Sequence, residues 1–210
     1  FNYQNENYLS RVQIGNALYS IYGFRYKGVY RYNYDHSGYF ADESKNALYG
    51  ENTAAAAAAR GENATCPIAR DANGNIIFDA DGNPLRMYYN YGNTNYQFAG
   101  GDAIYEDINH DGQINELDIV YLGNSNPSFN GGFGFDFKYG RWTLKTSFNV
   151  RLGADIVNLA RMYAEDMRTN KNQSAAVSWR WRKNGDITEI PRAMNVNAGS
   201  SYNALASDRY

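Results

Sequence analysis

Two neighbouring runs near the middle of the chain alternate with a period of two. In Phe129–Tyr139, Phe129, Phe133, Phe135, Phe137 and Tyr139 share one face, and Asn130, Gly132, Gly134, Asp136 and Lys138 share the other. In 142–151, Trp142, Leu144, Thr146, Phe148 and Val150 fall on one side, opposite Thr143, Lys145, Ser147, Asn149 and Arg151. Successive strand side chains point to opposite faces, so the pattern predicts two strands joined through Gly140 as a β-hairpin with one apolar and one polar face. Each run has about the 9–11 residues that a tilted strand needs to cross a bilayer. Two readings are open: a soluble antiparallel sheet with one wet face, the commoner source of such alternation, or a membrane-spanning hairpin.

A third candidate strand covers 19–34. Its even positions carry Tyr22, Phe24, Tyr26, Tyr30, Tyr32 and Tyr34, its odd positions Arg25, Lys27, Arg31 and Asn33, and Gly28 interrupts. Aromatics opposite cations on one strand suit a barrel with lipid outside and water inside, which shifts the balance towards the membrane. Between 35 and 128 the regularity dissolves. The Ala54 to Ala59 run is of low complexity, and Asn73-Gly74 and Asp81-Gly82 predict turns around Ile76, Ile77 and Phe78. Beyond the hairpin, Ile156, Leu159, Ala160, Tyr163 and Met167 predict an amphipathic helix within 154–167. Trp179 to Lys183 then alternate aromatic with cation before a turn at Asn184-Gly185-Asp186. Connections thus run long, short, long, as the outer loops and periplasmic turns of outer-membrane barrels do. The expected fold is all-β: a segment of a large antiparallel transmembrane β-barrel with strands near 19–34, 129–139 and 142–151. Extracellular loops are expected near 35–128 and 152–210, the second containing a short helix.

Composition narrows this picture. No stretch approaches the ~18 consecutive apolar residues of a membrane helix, so only a barrel could span. The chain starts at Phe1 with no initiator Met or apolar leader, so any targeting segment is expected to lie upstream or to have been removed. Tyr and Gly number 20 each, and aromatics reach 16%, which suits barrel girdles and surfaces that bind sugars or peptides. A formal net charge of −2 gives no electrostatic case for nucleic acid. The single Cys66, in a polar stretch before Pro67, cannot form an internal disulfide and is expected to be a passive thiol. With His36 and His110 the only histidines and no Gly-x-Ser-x-Gly arrangement, no catalytic constellation is visible, and the chain is not expected to be an enzyme.

One segment carries candidate metal chemistry. Residues 107–118 fit a twelve-residue calcium loop, with oxygen side chains at positions 1, 3, 5, 9 and 12 and Gly at 6. The candidate ligands are Asp107, Asn109, Asp111, the carbonyl of Gln113, and Asp118, holding a structural Ca2+. Two features depart from the pattern: position 12 is Asp rather than Glu, and no second loop is paired with it. The competing reading is an Asx-rich turn that needs no metal.

In order along the chain, these motifs resemble the SusC/RagA family of TonB-dependent outer-membrane transporters. The similarity is carried by 21–30, by 101–114 as its most recognisable signature, and by Gly123-Asn124-Ser125-Asn126-Pro127. It continues through the Gly-aromatic strand, Gly153-Ala154-Asp155-Ile156 and Ser207-Asp208-Arg209-Tyr210. His110 stands where the family usually has Gly. The resemblance implies a late portion of a longer polypeptide. The plug domain and TonB box have no counterpart here, and the few strands cannot close a barrel of about 22. It further implies energised import of oligosaccharides or oligopeptides in the bacterial outer membrane, a SusD-like lipoprotein partner, and TonB coupling through the missing plug. The alternative is a secreted or surface calcium-stabilised β-rich module that binds glycan. Trp179 and Trp181 could stack on a sugar or pack a loop, and packing is favoured.

Overall fold

The computed structural model describes residues 14–33, 64–91, 94–168, 171–194 and 203–210. Tyr34, His36 and the Ala54 to Ala59 run lie outside them. The described residues are sheet-rich. Nine strands form: β1 (Ser20–Gly23), β2 (Tyr26–Val29), β3 (Tyr88–Tyr91), β4 (Thr94–Gln97), β5 (Ala103–Tyr105), β6 (Gln113–Ile114), β7 (Val120–Asn124), β8 (Phe129–Tyr139) and β9 (Trp142–Leu152). They pair as four separate small sheets, β1-β7, β2-β5, β4-β3-β6 and β8-β9, and no barrel closes among them. Antiparallel pairing dominates, with β3 and β6 parallel.

The chain divides into two units, residues 1–22 with 121–157, and residues 23–120 with 158–210. The first holds the long hairpin. At the hairpin's open end, Asp155 clamps β7: its Oδ2 accepts from the Asn124 amide at 2.9 Å, and its own amide donates to the Asn124 carbonyl at 2.8 Å. A Cβ on Gly123 would collide with that carboxylate, so the clamp needs glycine there.

The second unit is built on aromatic rings. Phe24, Phe98 and Ile114 are fully buried, with Tyr30, Tyr89 and Tyr105 nearly so. Phe24 meets Tyr105 at 5.6 Å and Tyr89 at 6.4 Å between ring centres, and Phe98 meets Tyr96 at 5.7 Å. Tilted and edge-on contacts at these spacings suit the ring quadrupole.

This packing corrects the expectation of one long strand at 19–34. The stretch is two four-residue strands, and the register against β5 slips between Tyr26 and Gly28, where Gly28 takes φ +120°. The alternation holds in part, since Val29 on the odd face is buried as well. Tyr22, Phe24, Tyr30 and Tyr32 are buried, and Arg25 and Lys27 are exposed. Phe24 and Tyr30 pack against protein rings rather than lipid.

The described residues of 64–128 also hold more order than their composition suggests. Asp71 and Asp79 each accept backbone amides two and four residues on, and Gly74 and Gly82 supply the positive φ. The two turns bring three short segments together in a closed cycle, in which the Ile77 amide donates to Ala69, the Leu85 amide to Ile77 and the Ala69 amide to Leu85. The helix is α1, Leu159–Glu165, shorter than expected, and it buries Met162 and Glu165. The expected stripe is wrong: Ile156, Leu159 and Tyr163 are exposed.

Candidate functional site

The hairpin is the first candidate. β8 and β9 pair in register from Tyr139↔Trp142 at the turn to Phe129↔Leu152 at the open end. Opposed residues share a face, so the two apolar sets coincide as Phe133/Phe148, Phe135/Thr146, Phe137/Leu144 and Tyr139/Trp142. Phe133 and Phe148 stack at 4.9 Å between centres. The other face pairs Asp136 with Lys145, bridged at 3.5 Å, and Lys138 with Thr143. Gly140 at φ +58° makes the two-residue turn possible. Phe133 is 62% exposed and Trp142 81%, and no large side chain of the apolar row is buried. A two-stranded ribbon wet on both faces is marginal in water, and long apolar edges invite pairing, so this element requires neighbours.

The loop 107–118 is the second candidate, and the side chains of Asp107, Asn109, Asp111 and Asp118 all bond within it. The Asp111 amide lies 3.3 Å from both Asp107 Oδ1 and Asn109 Oδ1, which gathers the side chains of positions 1 and 3 round position 5. Asp107 Oδ2 accepts from the Gly112 amide and Asp111 Oδ1 from the Gln113 amide, each at 2.8 Å. Gln113 joins β6, and its side chain accepts from Asn90. Asp118 closes the loop end to end, taking the Ile108 amide on Oδ1 at 2.8 Å and the Asn115 amide on Oδ2 at 2.9 Å. Burial, with the negative charge of Asp111 nearby, raises the carboxyls of Asp107 and Asp118 above their ordinary range.

A hard cation fits this donor set in part. Asp107, Asn109 and Asp111 are gathered, and the two carboxylates bring together negative charge that a cation would relieve, although N–H donors already engage both oxygens of each. Asp118 is fully buried with both oxygens engaged by amides, so it would share rather than offer them. Among the described residues no three Asp, Glu, His or Cys side chains form a ready-made metal-holding group. Any ion would therefore lean on the amide oxygen of Asn109 and the Gln113 carbonyl.

Of the two tryptophans expected to pack, one does and the other does not. Trp181 is packed: its Nε1 donates to the Arg31 carbonyl at 3.2 Å, and its ring covers Gly101, where a Cβ would collide with it. Trp179 is 78% exposed. Cys66 packs beside Tyr32 and Ala64.

Two ionic anchors were not foreseen from sequence. Asp102, fully buried, accepts from Arg192 Nε at 2.6 Å, from Tyr96 Oη and the Ala99 amide at 2.8 Å, and from Asn203. Glu165 is held by Arg161 at 2.8 Å and by Arg209, whose guanidinium lies over the Tyr26 ring at 5.1 Å. Asp208 Oδ1 takes the Tyr26 amide at 2.7 Å. The signal for the first was the Gly101-Asp102 step, but its partner stands 90 positions away. No family model matches the chain, and no curated protein matches it.

Proposed function

We propose that this chain is part of an outer-membrane TonB-dependent transporter of the SusC/RagA type. In this reading it imports oligosaccharide or oligopeptide nutrients together with a SusD-like lipoprotein. The observation that carries the reading is the β8-β9 ribbon. Its eleven-residue strands match their apolar faces in register and leave the large side chains of that row exposed. At ~3.4 Å per residue and a tilt of ~45°, eleven residues rise about 25 Å, the height of a barrel's apolar band. Phe fills the middle, and Tyr139 and Trp142 stand at the turn, where an interfacial aromatic girdle belongs. The polar face, with Asp136 against Lys145, then faces the lumen. Strand neighbours from the rest of the polypeptide cover the ribbon's edges.

In the same reading the 107–118 loop binds a structural Ca2+ and braces the chain that leads towards β8. A secreted glycan-binding module leaves the exposed aromatic row without a partner, so the transporter reading is preferred. The test is fractionation of cells producing the whole polypeptide that carries these residues. Recovery in the outer membrane with heat-modifiable migration on gels is expected. Recovery as a soluble protein would overturn the reading.

A further inference from the structure

An open groove of about 1030 Å³ runs beside β2 in the larger unit, lined among others by Lys27, Arg31, Arg161, Trp179, Thr188 and Glu189. Its aromatic wall is held in place. Ser174 caps the short 3-10 turn Ala175–Trp179, Thr188 Oγ1 donates to the Trp179 carbonyl at 2.6 Å, and the Trp181 amide donates to Ile190 at 3.0 Å. The backbone on both sides of Trp179 is therefore fixed while its indole stays in solvent, at 78% exposure. With the backbone already ordered, stacking on this ring has only the side chain left to immobilise.

The charges are layered. Lys27 and Arg161 have half-exposed side chains, at 51% and 47%. The acid that holds Arg161 lies beneath, Glu165 at 2%. Glu106, which holds Lys27, is the less exposed member of its pair at 29%. An incoming ligand meets the cations before their counter-ions, with Glu189 the one carboxylate on the wall. One way a peptide binds a groove is by adding to a free strand edge. Here β2 already pairs with β5, and the Tyr26 amide donates to Asp208, so the groove offers side chains instead.

We propose that this groove binds an acidic oligosaccharide, with Trp179 stacking on a sugar ring and Lys27 and Arg161 taking its carboxylates. The proposal rests on the transporter reading and names its substrate class. A sugar ring presents an apolar C–H face to an indole, and carboxylates draw charge-assisted hydrogen bonds from Arg and Lys.

The test is calorimetric titration of the whole polypeptide in detergent with galacturonate oligomers, a neutral glucose oligomer and an acidic peptide. Galacturonate is expected to bind, and Trp179→Ala to weaken it at least about tenfold. Lys27→Gln should weaken binding and flatten its salt dependence. Trp179→Phe keeps most of the affinity if stacking is the contact, which separates stacking from misfolding. Absence of galacturonate binding, or equal binding by Trp179→Ala, overturns the proposal. So does a preference for the neutral sugar or the peptide. If the polypeptide sits in the outer membrane yet binds no uronate, the substrate assignment fails and the transporter reading stands. If it binds uronate but is soluble, the groove stands and the transporter reading fails.

Discussion

Gly112 takes φ +82°, and a Cβ there would stand 2.8 Å from both Ala69 Cβ and Leu85 Cδ2. Its amide also donates to Asp107, so the loop cannot rotate it away without losing that bond. Left-handed strain of ~1–2 kcal/mol plus overpacking of ~1–3 kcal/mol puts Gly112→Ala at about 2–5 kcal/mol destabilising. Two positions earlier, His110 holds φ +57° with a side chain attached, at the place where the resembled family has Gly. Glycine relieves that strain but adds freedom to the unfolded chain, so His110→Gly should stabilise by a smaller margin, about 0.5–1 kcal/mol. Hydrogen exchange at the Gly112 and Gln113 amides reads both effects. Faster exchange in the first variant and slower in the second is expected, and the same direction in both would contradict this account of the turn.

At the scale of elements, the hairpin ties depth to cost. Phe135→Arg places a charge on the apolar face near the middle of β8 and should destabilise by about 2–4 kcal/mol, whereas Tyr139→Arg at the turn should cost about 0–1 kcal/mol. Equal costs, measured by urea unfolding in lipid vesicles, would mean the ribbon has no depth axis. For the 107–118 loop, calcium chelation should accelerate exchange at Gly112, at Gln113 and at the Tyr88 amide bonded to the Gly112 carbonyl, and leave β8 and β9 unchanged. An affinity of ~10⁻⁴–10⁻³ M suits a lone loop ending in Asp, and it suffices for a static brace at extracellular calcium. No response to chelation would leave the Asx-turn reading, in which the amide bonds of Asp107, Asp111 and Asp118 suffice. Which elements sequence could reveal follows from how local their causes are. Period-two alternation and Asp-x-x-Gly turns are local, so β8, β9 and the turns at 71–75 and 79–83 were legible. The breaking of 19–34 into β1 and β2 was not, because buried Phe24 is placed by Tyr89 and Tyr105, far away in sequence. The same holds for α1, whose buried Glu165 is drawn inward by Arg209. The anchor on Asp102 depends likewise on Arg192 and Asn203.

For the whole molecule, the long connections are expected on the outer side of the membrane and the Gly140 turn on the inner side. Single cysteines at Asn75 and Asn184 should both react with an impermeant reagent on intact cells. Labelling at one alone, or at neither until the membrane is opened, would contradict that sidedness. The central claim is that one face of the β8-β9 ribbon touches lipid and the other does not. Its most direct test places single tryptophans at 133, 135, 136, 137 and 138 of the membrane-embedded polypeptide, with other tryptophans replaced, and measures quenching by brominated lipids. Gly134 is left in place because a Cβ there would meet the Thr146 carbonyl. Strong quenching at 133, 135 and 137 with weak quenching at 136 and 138 is predicted. Uniformly weak quenching, or alternation of the opposite phase, would contradict it.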